Sequence, residues 1–296
     1  SNGCDSTAIL NLTINQPYTS YTNITACDSV VWNGVTYDSS GIYSSSASSS
    51  NNYSMSFDGV DDYIDLGNIP LLVQPDLATI SCNVKMNQLT GHLDSQTLFL
   101  RTCIGGQIDL GYDEPLQSYF IGVKIGNSWY KAYAAATLSW ENITGVYDKI
   151  NATLSIFKSG VLIQSVSIPN TSLFTYNCNA YFGGENTSMT PLATVDDIHI
   201  WNTALTQQEI QNYMTCPPTG NEAGLVGYWN FEEGQGTTAY DQTSNGNNGT
   251  INGAIYDNNV PPQSCSLTNS NGCDSTAILN LTINQADTSY TNITAC

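Results

Sequence analysis

"NATLSIFKSGVLIQSVSI" (151–168) holds two short apolar-rich runs on either side of Ser159-Gly160. Gly at such a point supplies the positive φ that a tight hairpin needs, so the stretch predicts two antiparallel strands joined by a two-residue turn. The same pattern continues outward. "YSMSFDGVDDYIDLG" (53–67), "ATISCNVKM" (78–86), "TLFLRTCIGGQIDLGY" (97–112), "YFIGVKIG" (119–126) and "NAYFGG" (179–184) are short strand-like runs separated by Gly, Asn and Pro. Strands of this length at regular spacing predict an all-β sandwich or jelly roll. One helix is expected, "TQQEIQNYM" (206–214). Thr206 and Glu209 have the spacing of a capping box, and Ile210, Tyr213 and Met214 share a face.

The bulk composition agrees with an extracellular β protein. Six Lys and Arg stand against 25 Asp and Glu, a formal charge of -19. That balance excludes nucleic-acid binding by counterion release, which needs clustered cations. It leaves carboxylates for calcium. A hydrophobic share of 41% is too high for a disordered acidic chain. No apolar run is long enough to span a membrane as a helix. No leader-like stretch opens the sequence, so a mature or excised segment is expected. Nine cysteines without a CxxC pair, and two histidines far apart, argue for disulfides in an oxidising compartment rather than zinc.

The ends repeat. "SNGCDSTAILNLTINQPYTSYTNITAC" (1–27) returns as "SNGCDSTAILNLTINQADTSYTNITAC" (270–296), with only Pro17 and Tyr18 exchanged for Ala286 and Asp287. In both copies apolar residues alternate, as Ala8, Leu10, Leu12 and Ile14 and as Ala277, Leu279, Leu281 and Ile283, which predicts a half-buried strand. "CDSVVWNGVTYDSSGIY" (27–43) places Asn33-Gly34 between apolar residues, a second hairpin signal. Residues 216–265 begin and end in Cys, and "GLVGYWNF" and "GTINGAIY" within them read as a strand pair.

"MSFDGVDDYIDLG" (55–67), "NAYFGG" (179–184), "VDDIHIWNTALTQQEIQNYM" (195–214) and "GLVGYWNFEEGQGTTAYDQTSNGNNGTINGA" (224–254) together resemble the laminin-G-like, concanavalin A-like jelly rolls of bacterial surface proteins. The last of these precedes "SFDG" in the usual family order and follows the helix here, which implies a circular permutation or a segment that serves another subunit. The flanks resemble short cysteine-paired, Ig-like β repeats of secreted Bacteroidetes-type proteins, with units "ACDS…WNG.TY..SG.Y" and "NGCDS.A.LNLTI". The implied organisation is the end of a preceding repeat (1–16), a first half-repeat (17–50), an inserted jelly roll (51–265), a second half-repeat (266–285) and the start of the next (286–296). Copies of the chain joined head-to-tail through terminal strands, in a secreted or cell-surface fibre or stalk, then follow as the expected assembly. Two ordinary modules flanking one domain are the plainer alternative. A carbohydrate-binding adhesin that forms no filament is the rival function.

Site residues follow from both readings. In resembling domains the Asp of "FDG" and the first Asp before "I-x-I-W" lie near one calcium, which maps to Asp58 and Asp196 with the Gly59 carbonyl; Asp is equally a turn former there. Sugar-binding candidates are Trp129, Tyr130, Tyr133 and Trp140, against the alternative that they fill the core. Ten N-x-S/T sequons occur, at Asn11, Asn23, Asn52, Asn142, Asn151, Asn170, Asn186, Asn248, Asn280 and Asn292, in a chain so rich in Asn, Ser and Thr that their number decides nothing. The "CDS" triplets add Ser6, Ser29 and Ser275, which resemble an O-glycosylation signal and also suit an Asx turn. Expected disulfides are Cys216–Cys265, bracketing the strand pair, Cys27–Cys273, joining the interrupted repeat, and Cys103–Cys178. Cys4 and Cys296 are left for neighbouring units and Cys82 as a buried thiol. No enzyme is expected: the paired carboxylates of a glucanase strand are missing, and Glu232 and Glu233 of "FEEG" are adjacent in sequence.

Overall fold

A computed structural model describes residues 18–27, 29–32, 35–45, 51–69, 75–91, 96–101, 108–173, 179–184, 189–263, 267–268 and 274–284. The chain divides into two units, residues 50–263 and residues 1–49 together with 264–296.

The smaller unit contains β1 (Tyr18–Cys27), β2 (Val30–Trp32), β3 (Val35–Tyr37) and β4 (Gly41–Ser45) from one end of the chain. The other end supplies β21 (Leu267–Thr268) and β22 (Asp274–Asn284). β22 is central: β1 runs parallel along one edge, Tyr18 level with Ser275 and Cys27 with Asn284, while β4 and β21 pair antiparallel on the other. β2 and β3 pair antiparallel with Trp32 opposite Val35, as the Asn33-Gly34 signal predicts. The alternation of 277–283 does form a strand, and its Leu281 is buried. The first copy, with Ala8, Leu10, Leu12 and Ile14, lies outside the described residues.

The larger unit is a sandwich of two antiparallel sheets. Its strands in chain order are β5 (Ser54–Asp58), β6 (Tyr63–Asn68), β7 (Leu77–Met86), β8 (Gln96–Arg101), β9 (Ile108–Asp113), β10 (Ser118–Ile125) and β11 (Ser128–Ala135). There follow β12 (Glu141–Asp148), β13 (Thr153–Lys158), β14 (Val161–Ser167), β15 (Asn179–Phe182) and β16 (Leu192–Trp201). After helix α1 (Gln207–Thr215) come β17 (Leu225–Trp229), β18 (Thr238–Ala239), β19 (Gly249–Asn252) and β20 (Ile255–Asp257). One sheet has the order β11-β10-β9-β8-β15-β6-β19-β18. The other runs β14-β13-β12-β7-β16-β5-β20, with β17 also beside β16. The two inner faces meet in one core that holds Met55, Tyr112, Tyr119, Phe182 and Trp229. Phe182 and Trp229 pack edge to face, 4.9 Å between centroids, and the indole N–H reaches the Asn247 carbonyl at 3.0 Å.

The segment after the helix corrects the sequence reading in one respect. "GLVGYWNF" and "GTINGAIY" do not pair with each other. β17 lies against β16 and β20 against β5 in one sheet, while β19 lies against β6 in the other. The segment therefore completes both sheets of its own sandwich. The predicted turn at Ser159-Gly160 joins β13 to β14, with Lys158 opposite Val161. The capping box forms as expected: Glu209 N–H donates to Thr206 Oγ1 at 3.3 Å, and Thr206 N–H to Glu209 Oε2 at 2.7 Å. α1 covers the outer face of the second sheet, where Ile210 and Tyr213 pack on Val146, Phe157, Trp201 and Tyr228.

Candidate functional site

β8 to β11 build a cleft of about 680 Å³ on the outer face of the first sheet. On β11 the side chains alternate: Ala132 and Ala134 enter the core, with Tyr130 partly buried against it, while Trp129, Lys131 and Tyr133 line the cleft. Strand register brings distant residues beside them. One rung runs Arg101, Asp109, Gly122, Lys131; the next runs Leu98, Gly111, Phe120, Tyr133. Met189 closes one side, from the loop before β16. Two glycines keep the floor low. A Cβ on Gly122 would lie 3.3 Å from the Trp129 ring, and one on Gly111 would lie 2.2 Å from the Thr97 carbonyl.

The floor is apolar and the rim polar. Leu98 and Phe120 are buried but outside the core cluster, so the cleft side chains cover them. The Lys131 ammonium sits 4.0 Å above the Phe120 ring and 5.7 Å from Trp129, and donates to Gln96 Oε1 at 2.9 Å. The Gln96 amide N–H in turn donates to Asp113 Oδ2 at 2.6 Å. Arg101 Nε lies 3.8 Å from Asp109 Oδ1, both side chains nearly buried. Burial pulls the Lys131 pKa down, and the nearby Asp113 and Asp109 offset part of that shift. Trp129 is 41% exposed, an aromatic face open to a ligand. An apolar floor, aromatic walls and a few fixed polar groups are the makings of a small-ligand cleft.

The four aromatic candidates therefore divide. Trp129 and Tyr133 line the cleft and Tyr130 turns to the core. Trp140 lies at another hollow of about 130 Å³ and donates to Asn259 Oδ1 at 3.2 Å. Sequence reasoning missed Gln96, Arg101, Asp109, Phe120, Lys131 and Met189. One signal was present: the run Trp129-x-Lys131-x-Tyr133 puts three cleft residues on one face of a strand.

The calcium assignment is corrected. Asp58 is level with Leu192, and Val195 with Met55, so Asp196 lies four residues farther along, about 13 Å away. Carboxylates that share a calcium, each about 2.4 Å from it, must approach within about 5 Å. Asp58 and Asp196 therefore do not share an ion. Asp58 instead has Asp61 and Asp62 as neighbours, their carboxylate oxygens all within 4.8 Å of one another. Gly59 turns the chain there at φ +79°, its own Cα hydrogen facing Leu192. Burial raises the Asp62 pKa, and Asp58 and Asp61 add to the shift. Asp196 is buried beside Asp197, held by the Asn51 amide at 2.8 Å. Asp197 accepts from Asn83, Gln263 and Tyr228, and burial pushes its pKa up to about 6. His199 is buried, accepts from the Trp201 indole at 2.7 Å, and is held neutral down to about pH 3. Its Nδ1 is taken by that hydrogen bond and its ring is shut away from solvent, a structural setting rather than an exposed reactive one.

Cysteines and sequons sort in the same way. Cys27 is free and exposed, level with Asn284 at the opposite end of β22 from Asp274, so the expected Cys27–Cys273 bond is not made; Cys273 itself lies outside the described residues. Cys82 is a buried free thiol. Cys216 is disulfide-bonded. Its expected partner Cys265 lies outside the described residues, as do Cys103 and Cys178. Asn142 is buried and its amide nitrogen donates to Ser81, the Cys82 carbonyl and Asn83, so this sequon is closed in the folded protein. Asn23, Asn52, Asn151, Asn170 and Asn248 are exposed, as is Ser29. Asn280 donates to Asn23 Oδ1 at 2.8 Å across the β1–β22 pair. Asn11, Asn186, Asn292 and Ser6 lie outside the described residues.

Among the described residues, no helix is long and apolar enough to cross a membrane. No curated protein matches the chain by sequence. Many solved structures share its fold, two of them over more than 70% of this chain with TM-scores above 0.5. A candidate carbohydrate-binding protein from Bacteroides ovatus superposes with a TM-score of 0.58 at 16% identity, covering 72% of this chain. The chain spans 62% of that protein's length. The heptameric SAP-like pentraxin from Limulus polyphemus superposes with a TM-score of 0.51 at 13% identity, over 73% of this chain and 98% of that one. The model of the laminin-G-like concanavalin A-like lectin/glucanase family matches residues 57–211, and with the two-sheet sandwich found over that stretch the chain belongs to this superfamily.

Proposed function

We propose that the chain is an extracellular carbohydrate-binding module without catalysis, and that the β8–β11 cleft is its binding site. The observation that carries this reading is the pairing of Trp129 and Tyr133, on one strand face, with Gln96, Arg101, Asp109 and Lys131 across the same hollow. Trp129 and Tyr133 are four residues apart, about 13 Å along the strand, which suits two rings of one saccharide chain. Aromatic faces pack against sugar C–H groups, and the polar rim fixes the hydroxyls. Titration against immobilised glycans tests it. Trp129→Ala should weaken binding at least tenfold with the fold intact, whereas Trp140→Ala should leave it unchanged. Equal loss from both variants would remove the cleft from the function.

A second reading concerns assembly. β1 comes from the first copy of the repeated end sequence and β22 from the second, so each copy supplies one half of a parallel strand pair. Residues 5–15 have the sequence of β22, and 288–296 have that of positions 19–27. The same register is therefore available between copies of the chain, or between repeats of a longer one, and supports a fibre or stalk. Removing residues 1–16 should abolish end-to-end association in sedimentation. Unchanged association would reject this joint. Calcium, if it binds, is expected at Asp58, Asp61 and Asp62 rather than at Asp58 and Asp196. Asp62→Asn should then erase any rise in melting temperature that calcium produces.

A further inference from the structure

We propose that the cleft selects a saccharide that carries a carboxylate, with the Lys131 ammonium as its partner; this rests on the carbohydrate-binding reading. The distribution of charge points there. The chain has only six Lys and Arg against 25 acidic residues. Two of the six, Arg101 and Lys131, line the cleft. A third, Lys124, is level with Trp129 on the neighbouring strand, on the same side of the sheet as Gly122 and Phe120. Half of the basic residues of a strongly acidic protein thus stand on one face of one sheet. Elsewhere Lys149 and Lys158 are bound to Asp76 and Glu141.

Within the cleft the two cations are held differently. Arg101 faces Asp109. Lys131 has no carboxylate within ion-pair distance among the described residues. Its neighbour is the neutral Gln96 carbonyl, and Gln96 is held in that orientation by its other end, which donates to Asp113. Gln96 therefore keeps Asp113 off the ammonium. An ammonium has three donors and Gln96 takes one. The lining residues Arg101, Lys131 and Asp109 by themselves sum to one positive charge, with Asp113 set back behind Gln96, in a chain whose formal charge is -19. A half-buried cation with donors to spare is stabilised more by an incoming carboxylate than by a hydroxyl, because a charge-assisted hydrogen bond is about twice as strong as a neutral one. Lys131 is two residues from both Trp129 and Tyr133 on the same face. A sugar ring stacked on either aromatic can hold an exocyclic carboxylate over Lys131.

The test is a set of matched oligosaccharides: polygalacturonate, polyglucuronate, polymannuronate and sialyl-terminated chains, each beside its carboxyl-reduced neutral form. At least one acidic chain should bind tenfold or more tightly than its reduced partner, and the margin should shrink with added salt. Lys131→Gln should bring that pair within about twofold while Lys131→Arg keeps the preference, both with unchanged melting temperature. Neutral chains binding as well as acidic ones would overturn the carboxylate assignment and leave the carbohydrate reading standing. Binding to none of the eight would overturn both.

Discussion

The two sheets of the sandwich treat their outer faces differently. On the second sheet, Val146, Phe157, Trp201 and Tyr228 point outward, and α1 lies over them so that Trp201 is buried. On the first sheet, Leu98 and Phe120 also point outward, into a cleft lined among the described residues by side chains such as Lys131, Trp129, Tyr133 and Met189 and by no helix. Both faces hide apolar surface, one under a helix and the other under long side chains. Apolar surface covered by amphipathic side chains is exchangeable for a ligand, because the stems can move aside while their polar heads stay solvated. A helix anchored by a capping box cannot move in that way without local unfolding. The contrast separates a face closed by a helix from the face that we propose meets a ligand.

The sharpest way to break the contrast is to truncate one tryptophan on each face. Trp201→Ala should cost about 3–5 kcal/mol in denaturant unfolding, because it removes a fully buried ring from beneath the helix. Trp129→Ala should cost less than about 1 kcal/mol, since its ring is already partly in water. Similar losses from both would mean that the two faces do the same work.

A smaller effect is expected from pH, through Asp197 on the helix-covered sheet. Its folded pKa, about 6, exceeds the model-peptide value of 3.8, so between about pH 4 and 6 the folded chain binds a proton that the unfolded chain does not. This term favours folding as pH falls and is lost as pH rises through about 6. His199 acts oppositely: its folded pKa near 3 lies below 6.5, so acidification protonates it in the unfolded chain first. Subtracting the stability of Asp197→Asn from that of the wild type reports this aspartate together with its interaction with the neighbouring Asp196. The difference should grow by on the order of 2–3 kcal/mol from pH 7 to 4, at about 1.4 kcal/mol per unit of pKa shift. A difference that is flat with pH would show Asp197 to be ionised in the folded state.

A small effect is also expected at the helix end. Thr206→Ala removes the oxygen that accepts the Glu209 N–H and should cost about 1 kcal/mol by the same unfolding assay. Glycan binding on the opposite sheet should not change. Loss of binding in that variant would couple the two faces.

Much of this was legible in the sequence because it is local. The hairpin at Ser159-Gly160, the Thr206/Glu209 box and the alternation of 277–283 are decided by residues within one turn or one strand. The cleft is different. Trp129 and Tyr133 were visible as aromatics, but Arg101, Asp109 and Lys131 meet only through the combined register of four strands, which several turns and the pleat fix together and no single stretch of sequence displays. The same gap explains the misplaced calcium ligands. Asp58 and Asp196 do lie on adjacent strands, four residues out of step. It also explains Cys27, which β1 carries to the far end of β22 from Asp274 because β1 and β22 run in the same direction.

That shared direction has a consequence for how the chain is made. Tyr18 must wait for Ser275 before β1 can take its place, and at 5–20 residues per second of synthesis the wait is tens of seconds. A duplicate of the β22 sequence leaves the ribosome first, at 5–15, immediately ahead of β1. Only residues 16 and 17 separate the two. A parallel pair needs a crossover of a dozen residues or more, so this nearby duplicate cannot be joined to β1 in the native direction. Within one chain, connectivity thus rejects the decoy that sequence identity would accept, and the intrachain partner of β1 is the copy that follows the inserted sandwich.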